Sequence, residues 1–166
     1  SSHRRQRQMC IRDSLDVEGK TVIILVNDPG FATQDPDLFN GNAMTYYGRW
    51  TYKFEEAARQ GATAAIIIHQ REPAAYGWDV VANSWTGAQA DLVYADGGES
   101  RAMMEGWITE DVARALFSEA GLNFDEQYAA AAQPDFSYVD MGDLTASGRI
   151  VPVSYTHLTL PTMRTV

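Results

Sequence analysis

Apolar side chains recur at Trp50, Phe54, Ala57 and Ala58, the i, i+4, i+7, i+8 spacing of one helical face, while Lys53, Glu55, Glu56 and Arg59 fall on the other side. The pattern predicts an amphipathic helix. Gly61 stands where a left-handed closing residue is needed. Residues 62–68 then form an apolar run, interrupted only by Thr63 and rich in β-branched side chains, the signature of a buried strand. Such a strand needs neighbours, and the nearest upstream candidate is residues 21–26, introduced by the turn-like Glu18, Gly19 and Lys20. Strand, long loop, helix, strand is therefore the predicted skeleton.

Between the first strand and the helix, Asn27, Asp28, Pro29 and Gly30 have the composition of a turn, and residues 31–45 that of a long loop. The second strand ends at His69, and a polar stretch, residues 70–73, follows. Residues 74–92 mix Tyr76, Trp78 and Trp85 with Gly77, Asn83, Ser84 and Gly87, which predicts an irregular loop pinned by aromatic anchors. Residues 90–94 form a candidate short strand, and Asp96, Gly97 and Gly98 a turn. A further strand is predicted over 103–108, with Gly106 permitting a bulge or a close approach. Thr109 suits the N-cap of a helix over 110–120 whose inward face would be Val112, Leu116 and Ala120, closed by Gly121. Asn123 caps a second helix running to about Ala132, stopped by Pro134, and residues 136–151 read as loop and strand leading outward.

At 166 residues and 45% hydrophobic content the chain fits one domain with a true core. No stretch approaches the run of about 18 apolar residues that spans a membrane. The first residues lack the charged, apolar, small-residue order of a secretion signal. The two ends share an unusual relation: MCIRDS at 9–14 and VSYTHL at 153–158 permit codons that make one DNA string the reverse complement of the other. That pair resembles a transposon end used in preparing sequencing libraries, so residues 1–14 and 153–166 are read as translated tag flanking a domain at 15–152.

The charge balance changes once the flanks are set aside. The whole chain carries −9, but residues 15–152 hold eight basic and 21 acidic residues, a net −13. A nucleic-acid partner is not expected, because affinity for phosphate backbones comes largely from Lys and Arg. The only cysteine, Cys10, lies in a flank.

His69 is the only histidine of residues 15–152. It could formally serve a serine triad, but no G-x-S-x-G turn is present, and a histidine finishing a buried strand is ordinarily a hydrogen-bonded structural residue. One histidine is too few for a zinc hydrolase centre. Asp35, Asp37, Asn40, Gly41 and Asn42 superficially imitate a calcium loop, one residue out of step and without the closing Glu; Asx-turns in a solvated loop are the ordinary reading. Neither a P-loop nor a dinucleotide glycine fingerprint occurs. No catalytic and no metal-ligating residue is assigned. The candidate substrate-binding residues are Tyr46, Tyr47, Arg49, Trp50 and Tyr52, since aromatic rings stack on sugar or peptide groups and an Arg fork clamps a carboxylate. The alternative is that Trp50 belongs to the buried face and the tyrosines pack beside it.

The ordered pieces GKTVIILVNDPG, YKFEEAARQGATAAIIIH and GWITEDVARALFSEAGL, with the strings NDPGF and YYGRWTY, resemble the protease-associated domain. The version they resemble is the one inserted in zinc-dependent aminopeptidases of metallopeptidase family twenty-eight. The matching positions are Gly19 and Lys20 with residues 22–26, Lys53 with Ala57 and Ala58, Gly61 and Ala62, residues 66–68, and residues 111–117. The resemblance implies a mixed α/β fold, an open β-barrel or sandwich with flanking helices. It also implies a non-catalytic role in governing substrate access or protein interaction beside a peptidase domain, with peptide as substrate. Zinc and catalytic groups would belong to that peptidase domain, and the location would be secreted or periplasmic. The rival expectations are a free-standing carbohydrate- or peptide-binding module and a hydrolase in its own right.

Overall fold

The structure is a computed structural model that describes residues 16–37, 39, 41, 43–84, 93–98, 100–133 and 136–148. Both proposed flanks, Trp85 and residues 149–152 lie outside it. The described residues form a mixed α/β fold around one open sheet of three parallel strands, β1 (Thr21–Leu25), β2 (Ala64–His69) and β3 (Met104–Thr109), in the order β1-β2-β3. The sheet does not close, so the barrel or sandwich expectation is not met by these three strands.

Parallel pairing sets Ile24 beside Ile67, and Ile67 beside Trp107, without interruption. The two-residue period of a strand then sorts the side chains. Val22, Ile24, Ala65, Ile67 and Trp107 join one core cluster with Phe54 and Ala57 of α2 (Trp50–Arg59). Ile23, Leu25, Ile68 and Ile108 join another on the opposite face, with Ala113 and Phe117 of α5 (Glu110–Glu119) and Phe124 and Tyr128 of α6 (Phe124–Ala131). Helices thus cover both faces. The helical face predicted for α2 is the one that packs, Phe54 and Ala57 buried and Trp50 half-buried against the same cluster. Gly61 closes the helix with φ +81°, the left-handed conformation that glycine adopts most easily.

Several connections differ from expectation. The predicted turn at 27–30 opens instead into α1 (Pro29–Thr33), because proline at the first helical position loses no hydrogen bond and presets φ. Residues 70–84, read as polar stretch and loop, contain α3 (Arg71–Ala74) and α4 (Trp78–Ser84). Both are too short to display a helical period, and α4 buries only Val81. Val93 and Tyr94 form no strand and are exposed, while residues 90–92 of that predicted strand fall outside the described set. Gly106 makes no bulge, pairing with Ile66 in regular register. Residues 136–148 contain no strand. The inward face of α5 is also rotated: Val112 is 46% exposed and Ala113 fully buried. A small residue under a helix lets the backbone approach the sheet, which a search for large apolar side chains overlooks.

The helix caps follow their residues. Thr109 Oγ1 accepts from Val112 N at 3.3 Å, and Asn123 Oδ1 accepts from Asp125 N and Glu126 N at 3.0 and 3.3 Å. Asp96 closes its predicted turn by accepting from Gly98 N and Ser100 N, both at 3.0 Å. Arg114 ties α5 to α6, its Nη1 and Nη2 donating to Asp125 at 2.9 and 2.6 Å and its Nη2 to Glu110 at 2.7 Å. The guanidinium also lies 4.8 Å from the centre of the Phe124 ring. No helix of the described residues is long and apolar enough to cross a membrane.

Two outcomes are expected. In urea unfolding, Ile67→Ala should cost about 2–5 kcal/mol, Ala113→Leu about 1–3 kcal/mol through overpacking, and Val112→Ala less than about 0.5 kcal/mol. Equal losses at 112 and 113 would mean that α5 presents a different face. The hydrogen bonds from Arg114 hold the Asp125 carboxyl below the usual carboxylate range. The folded pKa is depressed, so this stabilisation is fully present above the ordinary aspartate value of about 3.9 and is lost as pH falls through the folded value. The stability difference between wild type and Asp125→Asn, read from thermal unfolding, should therefore exist at neutral pH and vanish in acid. A difference that grows as pH falls would contradict the tie.

Candidate functional site

All three buried polar or charged residues among those described, Asn27, Asp28 and His69, stand at the carboxyl ends of β1 and β2. That end of an open parallel sheet is where such folds carry their sites. Asn27 leaves β1 with φ +69°, a conformation asparagine tolerates better than most residues, and its polar groups tie three segments together. Its backbone N–H donates to Gly48 O at 3.1 Å, its Nδ2 donates to Pro73 O at 2.7 Å, and its Oδ1 accepts from Asp28 N at 2.7 Å. Asp28 reaches across to the end of the long loop, where its carboxylate accepts from Thr45 N at 2.7 Å and Thr45 Oγ1 at 3.2 Å. A Cβ on Gly48 would come within 2.9 Å of that carboxylate, so only glycine lets the turn lie so close.

This polar knot carries the aromatic cluster. Tyr46, Tyr47 and Gly48 form a single 3₁₀ turn, and Arg49 occupies the N-cap position of α2 without capping it by its side chain. The rings of Tyr46, Tyr47 and Tyr52 meet edge to face, with centroids 6.3 Å (Tyr46 to Tyr47), 5.3 Å (Tyr46 to Tyr52) and 5.0 Å (Tyr47 to Tyr52) apart. Tyr46 is 56% exposed, and Tyr47 and Arg49 are exposed beside it. Tyr46 Oη donates to Glu55 Oε2 at 2.9 Å. That hydrogen bond, aided by the Glu55 charge and opposed by Arg49, raises the phenol above its ordinary value. Trp50 packs on Phe54 and Trp107, with centroids 5.9 and 6.2 Å apart. The five candidate residues are thus divided: three tyrosines and Arg49 form a surface, and Trp50 anchors it to the core.

His69 is 5% exposed. Its Nε2 lies 3.0 Å from Tyr76 O, and since a carbonyl only accepts, Nε2 carries the proton. The rings of Tyr76, Trp78 and Trp107 surround it at 5.6, 5.7 and 6.2 Å. Burial raises the Tyr76 phenol. This bond pins the segment between α3 and α4 to the end of β2. The Trp107 indole N–H is buried with no hydrogen-bond partner among the described residues.

Asp35 Oδ1 accepts from Asp37 N at 2.9 Å, an Asx-turn, while Asn40 and Asn42 lie outside the described residues. Among the described residues no three His, Cys, Asp or Glu side chains are grouped to hold a metal ion. The arrangement presents an exposed aromatic face with one arginine beside it. Asn27, Asp28 and Thr45 were not candidates from sequence. The available signal was an Asn-Asp pair directly after an apolar run, where a polar side chain must either emerge into water or find partners.

No protein-family model, no curated protein and no solved structure matches the chain.

Replacing Glu55 by Gln should return the Tyr46 titration toward the ordinary tyrosine value near 10. The change is read from phenolate ultraviolet absorbance against pH. An unchanged titration would mean that Tyr46 does not bond Glu55 in solution.

Proposed function

We propose that residues 15–152 are a non-catalytic protease-associated domain of a zinc aminopeptidase, governing substrate access or protein contact beside a peptidase domain. The observation that carries the reading is the placement of the segments that resemble the family. Residues 19–26 hold β1, residues 52–69 hold most of α2 and all of β2, and residues 106–122 hold most of β3 and all of α5. Three pieces recognised separately along the chain are therefore three neighbouring strands and the helices that cover them. An open barrel or sandwich would require strands beyond these three. In this reading the tyrosines and Arg49 face the peptide or the peptidase domain, zinc belongs to that domain, and the setting is secreted or periplasmic.

The test is an assay of the purified full chain on aminoacyl amide substrates, with and without added zinc. No hydrolysis is expected. Activity that survives a chelator and disappears in His69→Gln would make the chain a hydrolase instead. A second reading, a carbohydrate- or peptide-binding module, is favoured by the exposure of Tyr46 and Tyr47. Calorimetric saccharide or peptide binding that is lost in an Arg49→Ala, Tyr47→Ala double variant would select it.

A further inference from the structure

We propose that Asp28 is a positioning residue whose buried carboxylate holds the turn at residues 45–48, and with it the tyrosine surface, as a unit that opens separately from the sheet. The proposal does not depend on what that surface binds. Both ends of the turn rest on the same side chain: Thr45 donates to it twice, at 2.7 and 3.2 Å, and Gly48 packs directly against it. Asp28 is 6% exposed and is itself oriented by Asn27, which accepts its N–H at 2.7 Å and is fastened in turn to Pro73. The turn closes on itself through Gly48 N to Thr45 O at 3.1 Å and Arg49 N to Tyr46 O at 3.2 Å.

None of residues 45–48 belongs to either core cluster. The attachments of the turn include polar bonds at its ends, the bond from Tyr46 Oη to Glu55 and the contact of two rings with Tyr52, whereas β2 is held by apolar burial on both faces. Local opening follows the weaker attachment. The carboxylate is the side chain both ends share, so its loss loosens Tyr46 and Tyr47 together, leaving the Tyr46 bond to Glu55, the Asn27 N–H bond to Gly48 O and the strand pairing in place. Hydrogen bonds to a charged acceptor are the stronger class, which makes this tie large enough to measure.

The experiment is amide hydrogen exchange by NMR on the full chain, with near-ultraviolet circular dichroism reporting the tyrosine packing. Thr45→Val removes only the hydroxyl bond and should speed exchange at Gly48 and Arg49 by about tenfold, with Ile67 and Ile68 unchanged. Thr45→Ser should restore the wild-type rates, which a general loss of stability would not do. Asp28→Ala should speed the same amides by roughly a hundredfold and weaken the tyrosine dichroism. If Asp28→Ala does not fold, the two Thr45 variants decide the question alone. Acceleration of Gly48 and Arg49 in step with Ile67 and Ile68, or none in Thr45→Val, would overturn the proposal.

Discussion

Strand Ala64–His69 has a parallel neighbour on each edge and a helix layer on each face, and no other element could keep its place without it. A parallel pair cannot be closed by a tight turn, so each neighbour of β2 must be reached by a crossover. The first crossover is the long segment ending in α2, and the second contains α3 and α4. Because β2 is apolar on both faces, sliding the register by one residue would leave an Ile facing its wrong layer but still buried. The helices add the discrimination that β2 lacks, since α2 brings Trp50 and Phe54 to the side of Ile67 and Trp107, while α5 and α6 bring Phe117 and Phe124 to the side of Ile68.

The ends of the strands pose a different problem. Where β1 and β2 stop, backbone groups and polar side chains come out of a dry sheet and need partners at once. Asn27, Asp28 and His69 supply them by reaching to segments distant in the chain, to Pro73, Thr45 and Tyr76. A by-product of that satisfaction is a platform for the tyrosines. The loop that returns from α1 is caught at Thr45, the 3₁₀ turn is seated at Gly48, and tyrosine rings that would otherwise be free to rotate are presented edge to face. Some acidic side chains elsewhere are paired locally, as Glu56 with Arg59 and Glu110 with Arg114. Exposed pairs of this kind contribute little to stability, and apolar layering carries most of it.

The parts legible from sequence are those in which one residue type has one strong consequence. A run of β-branched residues became β2, the i, i+4, i+7 spacing became α2, and Thr109 and Asn123 became caps. The missed helices share a cause. Residues 71–84 form helices only four and seven residues long, below the length at which periodicity can be seen. Asp28 was hidden for another reason: the composition Asn-Asp-Pro-Gly describes a change of direction, but only the fold reveals that Thr45 returns to meet it. Of the site, the tyrosines and Arg49 could be picked out as chemistry, whereas the buried polar groups that hold them could not. Trp50 illustrates the limit, since its position in the string made it a candidate for contact and its helical phase made it part of the core.

The order of the strands is the claim on which the rest hangs, because both core layers and the polar knot are defined by β2 lying in the middle. Cross-strand nuclear Overhauser effects in the full chain test it directly. With β2 central, backbone protons of Ile67 should give contacts to the β1 strand around Ile24 and to the β3 strand around Trp107, in the parallel pattern. Contacts between β1 and β3, or an antiparallel pattern at Ile67, would contradict the arrangement and everything built upon it.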